Sequence, residues 1–181
     1  MITTKRLVLT LGSIADLPAL EEIDAECGRY FAFDLPSEDN HDCPLEACLT
    51  TGDIPSGVAK EDYRRENYYF YCIRQDDALI GFLSYYLEYQ QKDTAYLSVL
   101  YIKEACRSRG LGAEIVGALA QTLAAAGFKA VKTHCSLRNA LSLRFWVKNG
   151  FDRVTEVECT GNLYPGEFGG LGLIKTIGGP P

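Results

Sequence analysis

No stretch of this sequence approaches the roughly 20 consecutive apolar residues that a helix needs to cross a bilayer. The longest apolar runs are broken by Tyr, Ser, Arg or Lys, so no membrane span is expected. The first ten residues, Met1 to Thr10, hold neither a long apolar core nor a small-residue cleavage site. No secretion signal is expected, and a cytoplasmic location follows. Positive charge is in deficit: 18 Lys and Arg against 24 Asp and Glu leave a net charge of -6. That balance argues against nucleic acid as a partner, because phosphates demand a basic face. The seven cysteines are odd in number and contain no CxxC pair, so free thiols are expected rather than a disulfide framework. Their densest group, His41-Asp42-Cys43 with Cys48, falls short of the four ligands of a structural zinc site.

What is present is ordinary globular composition, 47% hydrophobic and 23% charged, which together with 181 residues predicts one domain over 1–181 with its own core. Residues 178–181 read as a tail. Arg6 to Leu11 predicts a first strand. Ser13-Ile14-Ala15-Asp16 predicts a helix start, with Ser13 capping and Asp16 at the positive end of the dipole, and the helix runs to about Cys27, ended by Gly28. Residues 33–62 are punctuated by Pro and Gly and are strongly acidic, which predicts a long connection with a short helix around Leu45 to Leu49. Tyr68 to Arg74 and Ala78 to Tyr89, separated by Gln75-Asp76-Asp77, predict an antiparallel hairpin. Thr94 to Ile102 adds a third strand to this meander.

Strand Thr94 to Ile102 leads through Arg107-Ser108-Arg109-Gly110-Leu111-Gly112 into a helix. Its apolar stripe is Ile115, Val116, Leu119, Ala120 and Leu123. After Gly127, Ala130 to Cys135 returns as a strand. A helix start carries unpaired amides and a positive dipole end, glycines let an anion approach the backbone, and Arg107 and Arg109 add charge. A phosphate site at this turn is the functional reading; an ordinary strand-to-helix turn is the plain one. Two rival phosphate motifs fail on spacing. A dinucleotide fingerprint needs glycine where Ile115 stands, and a P-loop needs Gly-Lys-Ser/Thr, which is absent.

A second cluster sharpens the reading: Asn139, then Phe145-Trp146-x-x-x-Gly150-Phe151, after the next strand. Together with Arg-x-x-Gly-x-Gly at 107–112, this resembles the GNAT superfamily of N-acetyltransferases from about Thr3 to Ile177. The resemblance implies an α/β fold with a mixed, mostly antiparallel central sheet of about seven strands flanked by helices, in the order β-α-α-β-β-β-α-β-α-β-β. It implies acetyl-coenzyme A as acetyl donor and an amine of a small molecule or peptide as acceptor. Paired final strands join some members into homodimers, while Leu171 to Ile177 could equally stay within one subunit. Carried onto this sequence, the amides of Arg107, Ser108, Arg109, Gly110, Leu111 and Gly112 would hold the pyrophosphate. The backbone of Leu100, Tyr101 and Ile102 would pair with the pantetheine arm and set an N–H on the thioester oxygen. Asn139 would orient the arm near its sulfur, or simply cap the following helix.

Trp146 departs from the pattern, since many members carry there a Tyr proposed to protonate the departing thiolate. An indole N–H cannot do so. Either a thiol of ordinary pKa about 8.5 leaves without help, or another tyrosine supplies the proton, with Tyr101, Tyr96 and Tyr89 as candidates. The acceptor amine must be neutral to attack, so a base is needed. His134 stands where members acetylating ribosomal-protein amino termini carry a catalytic Glu, and an imidazole of ordinary pKa about 6.5 suits the task; a histidine packed at a strand end is the plain reading. Tyr96 falls where histone-acetylating members place a glutamate base, a role a phenol fills poorly. Glu88 and the acidic connection could attract a cationic acceptor. Cys135 and Cys106 lack a paired base, so direct transfer is expected rather than an acyl-enzyme. The alternatives are a non-catalytic acyl-coenzyme A sensing module and a nucleotide binder.

Overall fold

The computed structural model describes residues 1–31, 44–55, 58–159 and 169–178. His41, Asp42 and Cys43, part of the acidic connection and residues 179–181 of the tail lie outside the described residues.

The chain folds back at its start. Thr4 N–H donates to Leu7 O and Leu7 N–H to Thr4 Oγ1, each at 2.9 Å. This turn lays β1 (Ile2–Thr3) antiparallel on β2 (Val8–Leu11). Among the described residues the sheet therefore has eight strands, against about seven expected, and Arg6 is in the turn instead of the strand. A 3-10 turn at Ile14–Asp16 precedes α1 (Leu17–Phe31). Here the Asp16 carboxylate takes both the Ser13 amide and hydroxyl at 2.9 Å, and Arg74 Nη2 at 2.5 Å. Gly28 does not end α1. A glycine inside a helix costs about 1 kcal/mol against alanine, too little to stop a helix anchored by Leu20 and Ile23, both fully buried.

Next come α2 (Leu45–Thr50), β3 (Tyr68–Gln75), β4 (Ala78–Leu87) and β5 (Thr94–Ile102). The β3–β4 turn is the two residues Asp76 and Asp77, at φ 47° and 67°. Left-handed conformations at both positions match the right-handed twist of the flanking strands, and Asp tolerates them. Then follow α3 (Leu111–Ala125), β6 (Ala130–Ser136), α4 (Ala140–Lys148), β7 (Arg153–Cys159) and β8 (Gly169–Thr176). Sheet order is β1-β2-β3-β4-β5-β6-β8-β7, antiparallel except where β5 meets β6.

Alternation along β5 sends its side chains into two cores. Ala95, Leu97, Leu100 and Ile102 join a cluster with Ile115, Val116, Leu119 and Leu123 of α3 and with Trp146 and Phe151. Tyr96, Val99 and Tyr101 join Leu20 and Ile23 of α1, Cys48 of α2 and Phe82. Each fully buried aliphatic chain contributes about 1.5–3 kcal/mol, so both layers hold β5 firmly from its two faces.

Candidate active site

The parallel seam between β5 and β6 is four register pairs long, Thr94↔Ala130 to Leu97↔Thr133. Beyond it the strands part. β5 continues to Ile102 paired only with β4, and β6 continues to Ser136 paired only with β8. The seam is pinned where it ends: the buried Thr133 hydroxyl donates to Leu97 O at 2.9 Å. At the same level Ser84 pairs with Val99 and Tyr85 with Leu97, which makes Ser98 an inserted bulge residue. The result is a fork in which β5 has only β4 as a partner strand at Leu100, Tyr101 and Ile102, the three residues expected to pair with an inserted arm.

The open end of the fork meets the start of α3. Gly110, at φ 78°, is the residue before the helix, and no side chain caps the first-turn amides, so these remain available to an anion. Arg107 Nε donates to Ile102 O at 2.7 Å and its guanidinium lies 4.7 Å from the centre of the Tyr101 ring. Arg109 Nη2 donates to Ala105 O at 3.0 Å. Both side chains shape the turn by bonding its carbonyls. Ser108 is itself left-handed, at φ 61°. Leu111 is 2% exposed and belongs to the core, so it offers only its amide. Gly112 serves packing: a Cβ there would stand 2.9 Å from Phe145 Cε2.

Sequence reasoning missed the support of this turn. Arg6 Nη1 donates to Arg109 O at 2.9 Å, and Arg6 Nε pairs with Glu114 Oε2 at 2.7 Å. Thr4 Oγ1 donates to Glu114 Oε1 at 2.5 Å. Burial pushes the Glu114 carboxyl up, but Thr4 and the side chain and amide of Arg6 outweigh it and hold it below the ordinary carboxylate value. A carboxylate in the first turn would oppose an incoming anion. Arg6 neutralises it, and the helix start stays positive. An acidic residue at that position was legible in sequence; its distant partner was not.

On the face of α1, a polar group gathers beside the fork. His134 Nε2 lies 3.3 Å from Glu158 Oε2, with the side chains 23% and 43% exposed. His134 of β6 and Glu156 of β7 both stand opposite Gly172 of β8. The glycine is needed there, since a Cβ would meet Glu156 Cβ at 2.9 Å. Tyr89 and Tyr96 stack with ring centres 4.4 Å apart. Burial pushes the Tyr96 phenol up, and Tyr89, Glu158 and Glu156 add to it; burial and the same two carboxylates raise Tyr89. Both phenols thus stay protonated and are poorer proton donors than an ordinary tyrosine. Among the described residues no group of three or more His, Cys, Asp or Glu is arranged to hold a metal ion. A cavity of about 480 Å³ lined by Asp62, Tyr86, Glu88 and Lys92 lies at the seam end of β5, away from α3, and adjoins the acidic connection.

The sequence profile of the acetyltransferase (GNAT) family matches residues 20–151, a span that contains the fork, the turn and α4. The chain belongs to the acetyltransferase (GNAT) family. No curated protein matches it in sequence. Solved structures share the fold of this acetyltransferase at low identity. An acetyltransferase from Salmonella typhimurium that modifies the N-terminal serine of the 50S ribosomal subunit protein L7/L12 is 18% identical, with a TM-score of 0.72 and 96% of each chain covered. An acetyltransferase from Thermus thermophilus is 19% identical, with a TM-score of 0.67, covering 97% of this chain and 99% of that one. PaiA N-acetyltransferase from Thermoplasma acidophilum, in complex with coenzyme A, is 18% identical with a TM-score of 0.59, covering 94% and 98%.

The geometry bears on three of the expected residues. Trp146 is 6% exposed and packs edge-on against Phe145 and Phe151 at 4.9 and 5.0 Å. The Tyr101 hydroxyl donates to Glu26 Oε1 at 3.0 Å, an oxygen that also takes the Glu104 amide. That phenol sits toward the open end of the fork, three residues from the bulge. Asn139 is a helix cap, its Oδ1 accepting from Ser142 N at 3.0 Å. Cys135 is buried with its thiol directed at the carbonyls of Ser136 and Asn139. No base is among these partners. No described helix is long and apolar enough to cross a membrane.

Proposed function

We propose that the protein moves the acetyl group of acetyl-coenzyme A to a primary amine of a small molecule or peptide, by direct attack. The fork carries this reading: past the seam β5 has a strand partner on one side only, and from Ile102, whose carbonyl Arg107 holds, a short turn leads to an uncapped helix start. The pyrophosphate binds the amides of Ser108 to Gly112. The pantetheine arm completes the free edge of β5 through Leu100, Tyr101 and Ile102, and the thioester reaches the bulge.

On the opposite side the amine approaches past His134. His134 serves as the base, with Glu158 Oε2 3.3 Å from its Nε2. Glu158 and Glu156 add negative charge that draws an ammonium in. The amine nitrogen attacks the carbonyl carbon, giving a tetrahedral oxyanion. A main-chain N–H at the bulge stabilises it, and such a donor contributes about 3–4 kcal/mol. The carbon–sulfur bond then breaks, the amine proton passes to His134, and the thiolate departs. A thiol of ordinary pKa about 8.5 is a tolerable leaving group.

Coenzyme A should raise the melting temperature, and free thiol should appear from acetyl-coenzyme A in the presence of one class among polyamines, amino sugars, amino acids and peptides. A protein indifferent to millimolar coenzyme A is incompatible with the proposal. Binding without turnover across the panel would favour an acyl-coenzyme A sensor, a reading that the core position of Trp146 also accommodates. The outer edge of β7, with Val154 and Val157 55% and 67% exposed, supports pairing of two copies along that strand. Sedimentation at micromolar concentration tests it, a monomer being the contrary result.

A further inference from the structure

Within β5, Ser98 alone has a register partner in neither β4 nor β6. It is the first residue past the seam, at the deepest point an insert along the free edge can reach. Its Oγ is buried and finds no hydrogen-bond partner among the described residues. The neighbouring Thr133 hydroxyl is engaged, donating to Leu97 O. A buried hydroxyl left without a partner is destabilising and calls for an explanation.

We infer that the Ser98 hydroxyl donates a hydrogen bond to the acyl carbonyl oxygen of the bound thioester, so that the protein recognises the acyl group and not only the coenzyme A arm. This rests on acetyl-coenzyme A occupying the fork. A hydroxyl can donate and the thioester oxygen can only accept, so the two are matched. Coenzyme A with a free thiol has no carbonyl at that level and leaves Ser98 unpaired. As the oxygen gains charge during amine attack the bond strengthens, which adds a side-chain donor to the main-chain one.

The test compares acetyl-coenzyme A with coenzyme A by calorimetry on wild type and Ser98→Ala. The variant should bind acetyl-coenzyme A about three- to tenfold more weakly, the worth of one neutral hydrogen bond, and coenzyme A with unchanged affinity. The stretch of a ¹³C-labelled carbonyl in bound acetyl-coenzyme A should lie higher in the variant. Without ligand, Ser98→Ala should melt at or above the wild-type temperature, since an orphaned hydroxyl is removed. Equal losses for both ligands, an unchanged carbonyl stretch, or a lower melting temperature would each overturn the assignment. Wild type that binds neither ligand would instead remove the acetyl-coenzyme A reading on which it rests.

Discussion

The ring of Phe145 lies against Gly112 so closely that a Cβ on that glycine would come within 2.9 Å of Cε2 and 3.1 Å of Cζ. This contact sets how near the start of α3 approaches α4, and with it the position of the first-turn amides. Two effects compete in Gly112→Ala. Helix propensity improves by about 0.8–1.0 kcal/mol, while overpacking costs about 1–3 kcal/mol. The clash should win, giving a loss of about 1 kcal/mol in chemical denaturation. In a Phe145→Ala background the same change should become stabilising; a loss of equal size in both backgrounds would refute the contact.

Arg6 neutralises Glu114 beside the proposed anion site. Arg6→Met should weaken coenzyme A binding by about two- to fivefold, the range for one charge near a helix end. Arg6→Met with Glu114→Gln should recover most of it. Calorimetry reads both, and an Arg6→Met variant with wild-type affinity would show that the pair is purely structural.

The Asp16 carboxyl is pushed up by burial but pulled further down by the Ser13 hydrogen bonds and by Arg74, so its folded pKa lies below the ordinary value. A depressed carboxylate contributes stability that is complete above its unfolded pKa and disappears as pH falls through the folded one. Asp16→Asn should therefore be less stable than wild type at pH 7, by about 1–2 kcal/mol for a lost cap. The gap should close on acidification below about pH 5. Urea midpoints across that range decide it: a gap independent of pH would mean that the charge plays no part.

With an accepted amine in hand, His134→Gln should lower kcat/KM by about 10²–10⁴, the usual worth of a general base. Glu158→Gln should lower kcat less. Coenzyme A affinity should stay unchanged in both variants. Wild-type kcat/KM in His134→Gln would move the base elsewhere.

Gly172 keeps the surface between His134 and Glu156 free of side chain. Gly172→Val would press on Glu156 Cβ and on its backbone N, 3.4 Å from the added Cβ. The acceptor KM should rise while the affinity for coenzyme A holds. If instead coenzyme A affinity fell and acceptor KM held, this face would not be the acceptor's.

The sequence signals that proved legible were local ones. Asp76-Asp77 between two aromatic strands can hardly be anything but a tight turn, and the stripe from Ile115 to Leu123 has one way to face a sheet. Gly28 misled because packing of Leu20 and Ile23 outweighs a single propensity penalty. Within Thr94 to Ile102 no residue marks 98 as inserted; the bulge exists only in the pairing of Leu97 and Val99 with β4. Arg107 was recognised as a cation but its destination, a carbonyl and a tyrosine ring, depends on how the turn closes. Trp146 stood out in sequence only as a departure from a tyrosine, and its packing on Phe145 and Phe151 is visible only in the fold. Glu158 lies 24 positions beyond His134 on a different strand, so no spacing rule could join them.

The pin at Thr133 gives the fork a blind end. An extended chain laid along the edge of β5 from Ile102 runs out of strand after five residues, at Ser98. On the proposed reading, any group beyond the thioester would turn out of the plane of the sheet, toward the imidazole of His134 or back into solvent. Depth would then be a gauge: it would measure the arm to a fixed mark and leave acyl chains of different length to be sorted by whatever room lies beyond the bend.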